Sequence, residues 1–184
     1  MRSMRSMAQE TRTGGSAFAA PPPDPALKIL EPLLGSSRAE GHTLDSVLGP
    51  GVPSVSTESY YRLDGGYFLV STYETVFGDE PAQKGVMYWG YDCEAGRFRN
   101  IFCSNDGPLT EGDNRYTSEV ADGALTFVGP ARFRYELDDD RRIRAHPEGA
   151  IVVERWLRDE RGDWTPWMHN AFRRVGEPAP LRLP

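Results

Sequence analysis

The chain predicts an all-β fold: a closed antiparallel barrel of about ten strands with a short helix at its N-terminal side. Three observations carry this. Between Gly65 and Asn105 three aromatic-rich runs follow one another, GGYFLVSTYETVF, GVMYWGYDC and RFRNIFCSN. The breaks between runs are made of Gly, Asp, Asn and Pro, the residues that tolerate turn backbones. No helical stretch separates the runs as far as Val175, and strands in series without crossover helices make antiparallel sheet. Closing such a sheet removes its exposed edges, and a small closed barrel can hold one small ligand.

Taken in order, residues 1–25 read as a disordered tail. The arginines at its start resemble a signal peptide, but the apolar core of about 7–15 residues that a signal needs is missing. Asp24–Leu34 is the helix: Asp24 caps it, Pro25 suits the first helical position, and Ala26, Leu27, Ile29, Leu30, Leu33 and Leu34 give a wide apolar face. Pro32 should bend or end it early and Gly35 should stop it. The strands follow at Ser36–Val47, Pro53–Leu63, Gly66–Phe77, Gly85–Asp92, Arg97–Ser104, Asn114–Val120, Ala124–Gly129, Ala131–Asp138, Ile151–Asp159 and Thr165–Val175. A weaker one covers Arg142–Ala145. Asp122-Gly123 suits a two-residue hairpin turn. The barrel domain is thus 26–175, and 176–184 is a flexible Pro-rich tail.

The 184 residues suffice for one domain with a real core. A formal net charge of −6 argues against nucleic acid, whose binding needs a basic surface, and against a polybasic membrane patch. No apolar run approaches the roughly 20 residues of a membrane helix. Cys93 and Cys103 lie on the two arms of a hairpin, about 16 Å apart along the strand at about 3.3 Å per residue. A disulfide needs Cα atoms within about 7 Å, so two free thiols and a reducing cytoplasm are expected.

Several segments carry a resemblance. Leu34-Gly35 followed by Ala39-Glu40-Gly41 looks like the first-strand signature of calycin-type barrels, the superfamily of lipocalins, fatty-acid-binding proteins and nitrobindins. Leu63-Asp64-Gly65-Gly66-Tyr67-Phe68-Leu69, Gly90-Tyr91-Asp92, the Ser104-Asn105-Asp106-Gly107 turn and the closing Phe172-Arg173-Arg174 resemble a bacterial family catalogued as a domain of unknown function, number 1579. The resemblance covers about residues 30–175 and implies a ten-stranded barrel with an internal pocket and no assigned reaction. The run Met168-His169-Asn170-Ala171-Phe172-Arg173-Arg174 is similar to the last strand of the haem-binding nitrobindins, which places His169 at the axial-ligand position. In their first-strand signature a tryptophan stands where this chain has Ser37.

His169 is the sharpest candidate. Strand alternation puts Trp167, His169, Ala171 and Arg173 on one face of the last strand and Met168, Asn170, Phe172 and Arg174 on the other. An inward first face would bring an imidazole into a pocket with Trp167, Trp89, Tyr73 and Met87, as a hydrogen-bonding group or a haem ligand. Arg173 on that face would need an anion: Glu74, Asp92 or a ligand carboxylate. Three function classes stay open. The leading one is a binder of a small hydrophobic molecule, with or without a carboxylate, needing no cofactor, with haem binding through His169 as the alternative. The second is a barrel enzyme pairing His169 with Asp92 or Glu74 as acid and base, and the third is a solidly packed interaction module. The sequence leaves the oligomeric state open, with a homodimer among the alternatives. No zinc-ligand spacing, nucleophile elbow or phosphate-binding glycine pattern occurs.

Overall fold

The turns set the frame. Asp122 and Gly123 both take positive φ, 50° and 68°. That is the two-residue hairpin geometry whose twist matches that of the flanking strands, and Ala121 and Ala124 pair directly across it. The computed structural model describes residues 20–105 and 115–177. The remainder of the expected tails, and Asp106, Gly107 and Asn114, lie outside the described residues.

The strands are β1 (Gly35–His42), β2 (Pro53–Arg62), β3 (Phe68–Phe77), β4 (Gln83–Asp92), β5 (Arg97–Ser104), β6 (Arg115–Ala121), β7 (Ala124–Val128), β8 (Ala131–Glu136), β9 (Ala150–Arg158) and β10 (Trp164–Gly176). Each pairs antiparallel with its neighbour in sequence, and β1 pairs with β10 to close the barrel. The expected all-β barrel of ten strands is therefore the fold. The first strand is shorter than expected. It stops at His42, where Thr43–Val52 turns away, and the Asp45 carboxylate accepts the Gly51 amide at 2.8 Å. The expected weak strand at 142–145 makes only isolated bridges, Leu137 to Ile143 and Ala145 to Ile151.

The helix forms as a 3-10 helix, Pro25–Leu33, with Pro32 inside it. Asp24 caps it by accepting the Ala26 amide at 2.8 Å. An α-helix would set the Pro32 ring against the Lys28 carbonyl. With three residues per turn, Leu27, Leu30 and Leu33 stack on one face, and all three are buried. Pro32 has no N–H to give the Ile29 carbonyl, its 3-10 partner. That carbonyl accepts from the Ile143 amide instead, at 3.0 Å. The missing donor thus ties the helix to the segment between β8 and β9.

The interior fills unevenly. Trp89 sits at its centre, edge-on to Phe127 at 5.0 Å and to Phe133 at 5.9 Å, and Phe127 stacks on Phe133 at 4.9 Å. Its indole N–H donates to Ser71 Oγ at 3.0 Å. Most of the large rings come from β4 to β8. Across the barrel, β1 alternates Gly35, Ser37, Ala39 and Gly41 on the face paired with Tyr60, Glu58, Ser56 and Ser54 of β2. Small side chains there leave space that the aromatic side does not.

Candidate functional site

The space lies under the end of the helix. A pocket of about 220 Å³ is walled by Pro32, Leu33 and Leu34 of the helix and its cap, Gly35 and Ser37 of β1, Glu58 and Tyr60 of β2, Tyr135 of β8, Ile151 and Val153 of β9, and Phe172 and Arg174 of β10. Its size follows from β1: a large side chain at Ser37 would project into it.

A buried polar cluster forms its inner end. Glu58 is almost fully buried, and Arg155 reaches it from β9, Nη2 to Oε1 at 2.9 Å. Tyr60 donates to the second carboxylate oxygen, Oε2, at 2.8 Å. Tyr135 lies beside this group and also lines the pocket. The Arg155 guanidinium lies 5.9 Å from the centre of the Phe172 ring, which lines the pocket. Both oxygens of the Glu58 carboxylate are thus engaged, one by Arg155 and one by Tyr60, as a buried charge requires.

This arrangement fixes the protonation states. Burial pushes the Tyr60 phenol well above its ordinary value, and the Glu58 charge pushes the same way. Burial followed by Glu58 raises Tyr135. For Arg155 burial opposes the charge, but Glu58, Tyr135 and Tyr60 outweigh it and the proton is held more tightly than usual. The cluster is a neutral ion pair carrying two un-ionised phenols.

The residues singled out from sequence divide. Trp89, Tyr73 and Met87 do belong to the interior: Trp89 and Tyr73 are buried, Tyr73 stacks on Phe102 at 5.5 Å, and Met87 packs against the core. None of the three lines the pocket. Gly85 makes the Tyr73 position feasible, since a Cβ there would meet the Tyr73 ring and the Cys103 carbonyl. The last strand runs opposite to the expected site. Met168, Asn170 and Phe172 are buried, and His169 and Arg173 are exposed. The inward set places Met168 and Phe172 in the core and leaves the two ionisable groups in water, the cheaper arrangement.

His169 therefore faces outward, directly across from Glu154. Trp167 packs on Phe77 at 5.7 Å at the far end of the barrel, in an open groove of about 700 Å³. Arg173 pairs with Glu148 at 3.7 Å on the outside. Glu74 and Asp92 are engaged by Lys84 and Arg99, each at 2.9 Å. They sit on β3 and β4, and β1 and β2 separate β3 from the strand of His169. The described residues hold no group of three or more His, Cys, Asp and Glu side chains able to bind a metal. An axial haem ligand must project into a pocket, and this outward imidazole does not fit that group.

Sequence reasoning missed Glu58 and Arg155. The available signal was charge on an inward position: Ser54, Ser56, Glu58 and Tyr60 alternate on one face of β2, so Glu58 had to point where Tyr60 points. Arg174, next to the residue chosen, is the arginine at the pocket. It stands across from Ser37 and folds over Gly35, where a Cβ would fall 2.3 Å from its Nη1. Among the described residues its one hydrogen bond is a long one, 3.5 Å to the Pro32 carbonyl.

Comparison with known proteins adds the fold. No protein-family model matches the chain, and no curated protein matches it by sequence. Among solved structures it is similar to Rv2717c from M. tuberculosis, with a TM-score of 0.53 and 16% identity over 83% of this chain and 98% of that one. At that identity the likeness concerns the barrel alone. Among the described residues no helix is long and apolar enough to cross a membrane.

Proposed function

We propose that this barrel binds a small, mostly apolar molecule in the pocket beneath the helix, with a carboxylate of that molecule held at the rim by Arg174. The observation that carries the reading is the pocket itself: apolar walls with a few convergent polar groups, the usual make-up of a small-molecule site. At about 220 Å³ it falls below the roughly 300–1,000 Å³ of drug-sized sites, so a single ring with a short side chain is the right scale. Arg174 has no carboxylate partner among the described residues, and an exposed guanidinium at a rim suits an anionic end. Kinship with the family of unknown function belongs to the same proposal and rests on the residue order quoted above. The free thiols Cys93 and Cys103 support a reducing compartment.

Isothermal titration with 3-phenylpropionate tests the reading. Saturable one-to-one binding is expected. Because rim ion pairs contribute up to about 1 kcal/mol, Arg174→Gln should weaken binding by up to about fivefold. No heat of binding from any single-ring carboxylate would remove the proposal.

A further inference from the structure

A second cleft opens beside the other half of the helix, and its walls are basic. We propose that it binds a small phosphorylated molecule, holding the phosphate group between arginines. This cleft shares no wall residue with the pocket beneath Leu33 and Leu34.

The cleft has a volume of about 630 Å³ and lies between Pro25–Ile29 of the helix, the β4–β5 hairpin and the loop after β8. Lys28 stands on the helix wall, Arg97 on the hairpin wall, and Arg141 and Arg142 on the loop wall. All four are exposed, and none pairs with a carboxylate among the described residues. Carboxylates outnumber lysines and arginines in this chain, 27 to 21, so partners are not scarce. Glu119 and Asp140 also line the cleft. Four cations against two carboxylates leave it positive on a chain of net charge −6.

The backbone holds these cations together. The Ile143 amide donates to the Ile29 carbonyl at 3.0 Å, which pins the loop to the helix. Lys28 and Arg142 are the chain neighbours of that bond, one on each side, so two like charges are kept at one seam. Like charges held together repel, and an anion between them turns the repulsion into attraction. The loop is itself tied down. The Asp138 amide donates to the Arg142 carbonyl at 2.8 Å, and the Asp138 carbonyl accepts the Arg141 amide at 2.9 Å. The Asp138 carboxylate accepts the Arg142 amide at 2.8 Å, so this acid serves the turn and not an arginine side chain. Arg141 takes a φ of 60°, a backbone state uncommon for its residue type.

The charge count selects the ligand class. A carboxylate brings one negative charge, whereas a phosphate monoester brings close to two and three acceptor oxygens. Arginine forks match phosphate in a bidentate way. The rest of the molecule meets Ile29, Tyr91 and the buried Phe98, with Tyr91 edge-on to Phe98 at 5.0 Å. An aryl phosphate fits both the charge and the apolar lining.

The experiment is amide chemical-shift mapping by NMR on the intact protein, titrated with phenyl phosphate, inorganic phosphate and benzoate. Phenyl phosphate should give saturating shifts at Ile29, Arg97 and Arg142 and their neighbours. Inorganic phosphate should move the same amides with lower affinity, and benzoate should bind there at least about fivefold more weakly than phenyl phosphate. Arg97→Gln and Arg142→Gln should each weaken phenyl phosphate by about fivefold, the upper range for an exposed ion pair. Arg161→Gln, at the opposite end of the barrel, should change it by less than about twofold. Equal affinity for phenyl phosphate and benzoate overturns the proposal. So do unchanged affinities in the two cleft variants, an equal loss in Arg161→Gln, or no saturating shift at the cleft. Inorganic phosphate binding as tightly as phenyl phosphate overturns the claim that a phosphorylated molecule, and not the free ion, is the ligand.

Discussion

Glu58 and Arg155 show how one buried pair organises a site. Taking a charge out of water is expensive, and a pair survives inside only when each partner is fully engaged. Arg155→Met should therefore destabilise the protein by about 3–5 kcal/mol in urea unfolding, because it leaves Glu58 buried and unpaired. Glu58→Gln combined with Arg155→Met should recover most of that loss, since a neutral pair has no such debt. The phenols make a second expectation. Tyr60, Tyr135 and Tyr116 are all raised, chiefly by burial. A raised folded-state pKa costs nothing while both states stay protonated. Stability should thus be insensitive to these three below about pH 10, the ordinary phenol value, and fall as pH rises past it toward their folded values. An alkaline absorbance titration should show a late tyrosinate step coincident with unfolding. His169→Ala and Arg173→Ala should change ligand affinity by less than about twofold, because both side chains point away from the pocket. In the sequence His169 stands out through the likeness of Met168–Arg174 to a haem-binding last strand. What decides its place is the company of Met168 and Phe172, which the barrel needs inside.

At the scale of the element, the helix matters through its leucines and its proline. Leu30 is fully buried, and Leu27 and Leu33 flank it. Leu30→Ala should cost about 2–5 kcal/mol, as a buried leucine truncated to a cavity does. Asp24→Ala should cost about 0.5–2 kcal/mol through the lost cap. Comparing the two by urea unfolding separates packing from capping. Asp24, Pro25 and the leucines were legible in the sequence. The 3-10 winding was legible only in hindsight, from the three-residue spacing of Leu27, Leu30 and Leu33 around Pro32. The strands were legible almost to the residue where turns are chemically explicit, as at Asp122-Gly123. They were not where a loop continues a polar strand, as after His42, because nothing in Thr43-Leu44-Asp45 breaks the pattern.

For the whole molecule, closure is the main fact. Ten strands in chain order, β1 against β10, leave no open edge among the named strands. The number of strands and the sense of pairing were legible because hairpin turns and aromatic runs are local signals. Which side of the interior stays open was not, because that depends on β1 lying across from β4–β8, a long-range relation. Ser37 was noted only as a departure from a tryptophan-bearing pattern, yet with Gly35 and Ala39 it sets aside the space that Glu58, Tyr135 and Arg174 surround. The central claim is that this space, and not the groove at the other end, receives the ligand. Amide chemical-shift mapping by NMR during titration with 3-phenylpropionate tests it most directly. Saturating shifts confined to Leu33, Ser37, Glu58, Tyr135 and Phe172 and their neighbours are the expected result. Shifts gathered instead around Thr43, Leu48, Phe77 and Trp167, or none that saturate, would contradict it.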